Sequence, residues 1–317
     1  YDDRFNFGQD ATYFGAVALQ NKYDASGLGQ FYNTVPDGHK CLCTKNLPPR
    51  TDVLVEPQKH FDTLLYTGTG SEQSITGLNF QPDFVWIKGR SQSSNNHGLH
   101  DSVRKDSGNT TILYSNTTGV ENAGGSYLKS TNGFEPNGIR VNNNTSGNNN
   151  GSTYVAWCWK AGGAAVTNND GSGTSQVSVN KEAGFSIVTY SGNATGSATS
   201  AVWQTIGHGL GKTPKWIVFK SRSYGDADTH WANYHVGVTD ANTDYVVWDT
   251  TEARIQTDVN YMGSTLPTSS VFSLGYNFTT NKNGEDYVAY CWAEIPGFSK
   301  FGTYKGNGAS DGTFVNV

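Results

Sequence analysis

Clusters of positive charge are missing from this chain. Its 317 residues hold 22 Lys and Arg against 27 Asp and Glu, a net charge of −5, and no basic run stands out. A groove that follows phosphates needs such a run, so nucleic acid is not an expected partner. Long apolar stretches are missing too. None approaches the roughly 20 residues that cross a bilayer as a helix, so membrane insertion is not expected either. The first residues do not read as a secretory signal. The chain starts at Tyr1 and its one methionine is Met262, which suggests a processed protein or a fragment of a longer one. Convincing 3.6-residue periodicity is absent throughout.

Cysteine is scarce, with 4 in the chain. Cys41 and Cys43 stand two apart, a spacing that does not favour bridging. Cys158 and Cys291 each lie inside an apolar, aromatic stretch and read as buried free thiols. No Cys/His pairs have zinc spacing, so no metal and no cofactor is expected.

What the chain has in quantity is 38 Gly, 17 Tyr, 15 Phe and 8 Trp, set among Asn, Ser and Thr. Aromatic and β-branched residues suit a pleated, half-buried surface, and Gly and Asn suit tight turns. Disorder would explain the polarity, but 13% aromatic content is core material. The expected fold class is all-β, with tandem antiparallel β-sandwich domains of jelly-roll or lectin-like type.

An internal repeat carries that expectation. The strand Tyr154-Val155-Ala156-Trp157-Cys158-Trp159 recurs as Tyr287-Val288-Ala289-Tyr290-Cys291-Trp292, an offset of 291 − 158 = 133. Pro82-Asp83-Phe84-Val85-Trp86-Ile87-Lys88 recurs from Pro214 to Lys220, an offset of 214 − 82 = 132. Leu65-Tyr66-Thr67-Gly68 recurs as Thr189-Tyr190-Ser191-Gly192, an offset of 190 − 66 = 124, with the shortfall assigned to a longer loop around Ala194 to Gln204. The unit opens a third time, because Gly297-Phe298-Ser299 repeats Gly184-Phe185-Ser186. The expected domains are 1–58, then 59–166 and 167–296 as two copies, then 297–317 as the start of a third. Trp86 should match Trp216 or Val218, and Cys158 should match Cys291. Phe185–Tyr190 alternates as a half-buried strand should, whereas Trp216–Phe219 and Val155–Trp159 are continuous apolar runs, expected where a strand is covered on both faces. The polar tracts 142–152 and 166–177 read as loops, with Asn168–Gly173 as a domain linker or a hairpin loop. Residues Phe298, Phe301, Tyr304 and Phe314 cannot bury themselves alone, so 298–317 should pair with a sheet of its own chain or of a neighbouring subunit.

Residues 1–58 have no counterpart in the repeats. Phe5-Asn6-Phe7-Gly8-Gln9, followed by Gly38-His39-Lys40-Cys41-Leu42-Cys43-Thr44-Lys45-Asn46-Leu47-Pro48, resembles the closing strands of SPRY-like (concanavalin-like) domains in marine phage proteins. The repeats, through Phe84–Lys88, Tyr154–Gly162, Gly207–Pro214 and Gly297–Gly302, resemble the tandem β-domains that follow such segments in cyanophage-like virion structural and tail-fibre proteins. The resemblance implies a viral, virion-surface protein: a phage fibre, appendage or capsid decoration used in host attachment. It implies other virion proteins, identical subunits and a host-surface glycan as partners, and supplies no enzymatic activity.

Chemistry-bearing residues are few. His208 lies in Gly207-His208-Gly209, a turn whose counterpart lacks histidine, and no nucleophile or carboxylate pairs with it by sequence. Glycoside hydrolysis needs paired carboxylates. Glu285-Asp286 is a candidate pair, with Asp249, Glu252 and Glu294 nearby, but the first copy has Ser152-Thr153 in its place, so no catalytic residue is assigned. Asn168–Gly171 offers one carboxylate to a calcium ion, too few for a site. Sequons at Asn116 and Asn193 are expected by chance in so Asn- and Thr-rich a chain. The best candidate for sugar contact is Tyr224, Asp226, Asp228, Trp231 and Tyr234, where aromatic faces could stack on pyranose rings and carboxylates accept their hydroxyls. The competing reading makes Trp231 and Tyr234 core residues of the next strand. The expected function is therefore non-enzymatic attachment. A virion-associated glycan-degrading enzyme is the alternative, and a secreted bacterial adhesin module is the third reading.

Overall fold

A computed structural model describes residues 18–46, 54, 56–106, 108–122, 124–196, 201–226, 229–238, 240–256, 258–309 and 312–313. The chain forms two compact units, Tyr1–Asp52 and Val53–Val317. In the first, the described residues hold a bridge between Lys22 and Phe31 and a 3-10 turn at Thr44–Asn46. Asp24 organises it: its carboxylate accepts from Cys41 N (2.9 Å), Asn46 Nδ2 (2.6 Å), Ser26 N and Leu28 N. The Cys41 and Leu28 amides, foremost among these donors, hold that carboxyl down at about 2. Cys41 and Cys43 are free thiols. The Phe5–Gln9 and Leu47-Pro48 parts of the SPRY-like motif lie outside the described residues.

The second unit is built of antiparallel strands, as composition leads one to expect. Its first half contains β1 (Phe61–Thr67), β2 (Gln73–Thr76), β3 (Phe84–Gly89), β4 (Gly98–Asp101), the short hairpin β5 (Lys105–Asp106) and β6 (Asn109–Thr110), β7 (Leu113–Tyr114), β8 (Phe134–Glu135), β9 (Gly138–Val141), helix α1 (Thr145–Asn148) and β10 (Thr153–Trp159). After β11 (Val166–Asn168) and β12 (Ser175–Asn180), the second half contains β13 (Phe185–Ser191), β14 (Gln204–Gly207), β15 (Trp216–Ser221), β16 (Ala232–His235), β17 (Val246–Val247), β18 (Val271–Leu274), α2 (Phe278–Asn281) and β19 (Asp286–Trp292).

Strand order is the same in both halves. The five-stranded sheet runs β1-β10-β3-β4-β7, and the seven-stranded sheet runs β13-β19-β15-β16-β17 with β12 and β11 added outside β13. The tract Asn168–Gly173 is thus part of the β11–β12 hairpin. Register fixes the equivalences. Cys158 faces Asp62 and Val85, as Cys291 faces Ser186 and Ile217. Phe84 faces Trp159 as Trp216 faces Trp292, so Phe84 is the counterpart of Trp216 and Trp86 that of Val218.

Each half has its own apolar core between the large sheet and a small one, β2-β9-β8 or β14-β18. Leu64, Val85, Ile87, Ile139, Val141 and Ala156 fill the first core, and Val188, Ile206, Ile217, Phe219, Phe272 and Ala289 the second. A third apolar layer is made by the opposite faces of the same strands, with Phe84 and Leu99 from the first half and Phe185, Ile187, Val218, Val288 and Tyr290 from the second. Central strands are therefore covered on both faces, which is why their sequences do not alternate.

Polar tracts hide ordered turns. In α1, Asn144 caps the helix through Ser146 N and Gly147 N, and Asn277 caps α2 through Thr279 N. The last helical residues, Asn148 and Asn281, are buried and bonded on both sides of the amide. Above them lie stacked tyrosines, Tyr66 on Tyr154 and Tyr190 on Tyr287. Tyr66 Oη donates to Gly147 O (2.6 Å) and Tyr190 Oη to Thr280 O (2.8 Å).

Charges sit in the seam between the halves. Arg104 and Asp101 are fully buried and paired through Nε and Oδ2 at 2.5 Å. Tyr290 Oη donates to the same carboxylate (2.7 Å), and Glu121 joins Arg104 to Arg222 of the second half. Burial alone would push the Asp101 carboxyl up, but the Arg104 guanidinium and backbone N–H and the Tyr290 hydroxyl hold it below its usual range.

After β19 the chain makes a bridge between Ile295 and Ser299. Phe298 packs beside Leu54, Ala183 and Ile295, Phe301 lies 6.3 Å from Trp216, and Tyr304 is 73% exposed. Described residues 300–309 and 312–313 form no strand, so the expected addition of this segment to its own sheet does not occur there; Phe314 lies outside the described residues.

Two outcomes follow. Arg104→Met, which leaves the fully buried Asp101 carboxylate without its guanidinium, should lower unfolding free energy in urea by about 3–5 kcal/mol. Lys129→Ala, which breaks an exposed pair with Glu72, should cost under about 1 kcal/mol; similar losses for both would contradict this picture. Cys158 and Cys291, whose thiols are buried and pushed up in pKa by burial, should resist a thiol reagent in the native protein and react on unfolding.

Candidate functional site

The stretch singled out for sugar contact divides in the structure. Trp231 is fully buried in the seam, its Nε1 donating to Tyr114 O at 2.8 Å and its ring stacked on Trp248. Tyr234, on β16 opposite Ile217, points into the core of the second half and is 3% exposed. These two expectations are corrected: pairing of β16 turns Tyr234 into the core, and Trp231, just before that strand, packs in the seam. Asp228 lies outside the described residues. Tyr224 and Asp226 do line a cleft of about 330 Å³, together with Thr229, Asp258, Asn260, Tyr276, Asn277, Phe278 and Thr279.

Three segments build the cleft. Thr229 ties the loop after β15, accepting from Asp226 N (3.0 Å) and donating to Asp226 O (2.8 Å). Tyr224 Oη donates to Asp226 Oδ2 at 2.8 Å. On the far side, Asp258 accepts from Asn260 N (3.0 Å) and Asn277 Nδ2 (2.7 Å), fastening the 258–260 loop to the start of α2. Tyr276 and Phe278 stand 5.3 Å apart, and Phe278 is 44% exposed. The Lys282 ammonium lies 3.1 Å from the Tyr224 ring centroid. Asn260 Oδ1 is buried and has no hydrogen-bond partner.

The first half has the same scaffold but ties this loop down. There Lys88 Nζ donates to Asn95 O (2.6 Å), Asn95 Nδ2 reaches Ser146 O of α1 (3.0 Å), and Tyr127 Oη donates to Asn96 O (3.1 Å). Tyr261 accepts the backbone bond from Gly275 that Tyr127 accepts from Asn142, yet its buried hydroxyl has no partner. Lys220, the counterpart of Lys88, donates instead to Thr229 O (2.7 Å) and to Thr118 O across the seam (2.9 Å). The loop is drawn toward the seam and the cleft opens beside α2.

Other chemistry-bearing residues serve the scaffold. His208 is buried, with Nδ1 accepting from Leu210 N and Nε2 at 3.2 Å from Thr268 O; burial lowers its pKa. Glu285 accepts from Ser223 Oγ and Asp286 from Ser191 Oγ, each tying strand ends. Asp249 holds His230 Nδ1 (3.0 Å) and Trp231 N (3.1 Å). Glu252 lines a shallow depression with Asp249 and Trp248. Asp170 accepts from Asn168 Nδ2, and among the described residues no group of three or more His, Cys, Asp or Glu is placed to hold a metal.

Sequence reading missed a larger concavity of about 760 Å³, lined by Phe61, Trp159, Phe185, Trp216, Trp292, Phe298 and Phe301 with Glu294 and Lys300 at its side. Its rings lie on one another, Trp216 on Trp292 at 4.3 Å and Phe61 on Trp159 at 4.8 Å. Those faces are taken, and five of the rings (Trp159, Phe185, Trp216, Trp292 and Phe301) belong to the seam layer. It is the open rim of that packing.

A family model described as a domain of unknown function, DUF7483, matches residues 56–317. The chain belongs to the DUF7483 family. The match covers both halves without a break, so the seam and the cleft are internal to the DUF7483 domain. No curated protein and no solved structure matches the chain.

Lys220 gives this cleft a pH signature. It is fully buried, and burial lowers its pKa from 10.5 to about 8, with Asp249 opposing. The native state therefore releases this proton before the unfolded chain does. Its contribution to stability is complete above about 10.5 and is lost as pH falls through about 8. Between those limits the wild type should gain stability relative to Lys220→Met, by a few kcal/mol at most. Parallel profiles from denaturant titrations of the two proteins would contradict the assignment.

Proposed function

We propose that this chain is a non-enzymatic structural protein of a virion surface, part of a phage fibre, appendage or capsid decoration. Each half is a β-sandwich of the jelly-roll or lectin-like kind, and the chain stands in an array with identical subunits and other virion proteins. Its contact with the host is a surface glycan held in the Tyr224 cleft. The observation that carries the contact is that cleft itself: aromatic rings and hydrogen-bond acceptors gathered in one half, on a scaffold whose other half ties the equivalent loop to α1. Aromatic faces with a few convergent polar groups are what sugar sites use. The virion setting rests on the resemblance of the repeat motifs.

One observation favours a second reading, a virion-associated glycan-degrading enzyme: Asp226 and Asp258 share the cleft. Asp258 spends both its oxygens on Asn260 and Asn277, which suits a clamp better than a proton donor. Mass spectrometry of purified particles should place these peptides in a virion component. Binding of host-surface glycan should weaken about tenfold in Tyr224→Ala and stay unchanged in Tyr304→Ala. Release of reducing ends from that glycan, abolished by Asp226→Asn, would replace the adhesive reading with the enzymatic one.

A further inference from the structure

Resting on the glycan-contact reading, we infer that the Tyr224 cleft recognises a protonated amine on its glycan, such as an amino sugar without its acetyl group. The cleft is rich in acceptors. Asp226 and Asp258 supply negative charge, each Asp258 oxygen already accepting one N–H, and Asn260 Oδ1 is buried with nothing to accept from. Several donors there are already used within the cleft: Asn277 Nδ2 on Asp258, Thr229 Oγ1 on Asp226 O, and Tyr224 Oη on the Asp226 carboxylate. A ligand that brings donors suits these acceptors, and an ammonium group brings three and a positive charge.

The walls point the same way. Tyr224, Tyr276 and Phe278 surround the acceptors, and a ring face attracts a cation through its quadrupole. The Lys282 ammonium already occupies the Tyr224 face, 3.1 Å from its centroid, and lies 5.7 Å from that of Phe278, so a ligand amine meets the rings of Phe278 and Tyr276. Acetylation removes the charge and two of the three donors, and a uronate would bring its own charge against Asp226 and Asp258. Both should be rejected.

Calorimetric titration of the full chain with glucosamine trisaccharide, N-acetylglucosamine trisaccharide and galacturonic acid trisaccharide, in 0.15 M salt, tests this. The free amine should bind at least tenfold more tightly than the acetylated sugar, with no binding of the uronate. Asp226→Asn should bring the first two within about twofold of each other, and Phe278→Ala should weaken the amine about tenfold, with unchanged thermal unfolding in both variants. Equal binding of acetylated and free sugars to the wild type would overturn the amine preference and leave the glycan site standing. Binding of none of the three, nor of host-surface glycan, would overturn both. Amine binding that survives both substitutions would place it elsewhere and overturn this inference alone.

Discussion

The central strands β3, β10, β15 and β19 have no face that can be left in water. Val85 and Ile87 enter one core while Phe84 and Trp86 enter the seam, and Ile217 and Phe219 are set against Trp216 and Val218 in the same way. Exposing the seam would return Phe84, Leu99, Phe185, Val218, Trp231 and Tyr290 to water, each at about 1.5–3 kcal/mol. The halves share a strand order, yet neither can bury its large sheet without the other. That constraint accounts for a single compact unit from Val53 to Val317.

Apolar burial alone does not fix how two sheets meet, and the polar groups in the seam supply direction. Asp101, opposite Phe84, occupies the place that His235 takes opposite Trp216. One half thus contributes the Asp101–Arg104–Glu121 group and the other contributes Arg222 and Tyr290. Trp231 Nε1 and Lys220 Nζ add bonds to backbone carbonyls across the same seam. The Lys220 bond couples seam to site, because the lysine that reaches Thr118 also holds Thr229 at the edge of the cleft.

Much of this was legible in the residues. Continuous apolar runs at Trp216–Phe219 and Val155–Trp159 announced strands covered twice, and offsets near 133 announced the matching positions of Cys158 and Cys291. Helical turns at Thr145–Asn148 and Phe278–Asn281 were not legible, since four residues of Asn-rich sequence have no apolar periodicity and are held by caps and buried amides. The site was half legible. Tyr224 and Asp226 belong to a recognisable aromatic and acidic stretch, but Tyr234 beside them is turned inward by strand pairing and Trp231, just before β16, packs in the seam. Asp258, Asn260 and Tyr276 come from distant loops and meet Tyr224 only through the fold.

The proposed recognition site lies in one half of a duplicated scaffold. Hydrogen–deuterium exchange of the full chain, with and without saturating host-surface glycan, tests that placement most directly. Protection should appear at 224–226, 258–260 and 276–279, with no change in the corresponding first-half segments 92–94, 124–126 and 143–146. Protection confined to the first half, or to the ring-lined rim around Trp159 and Trp292, would contradict it.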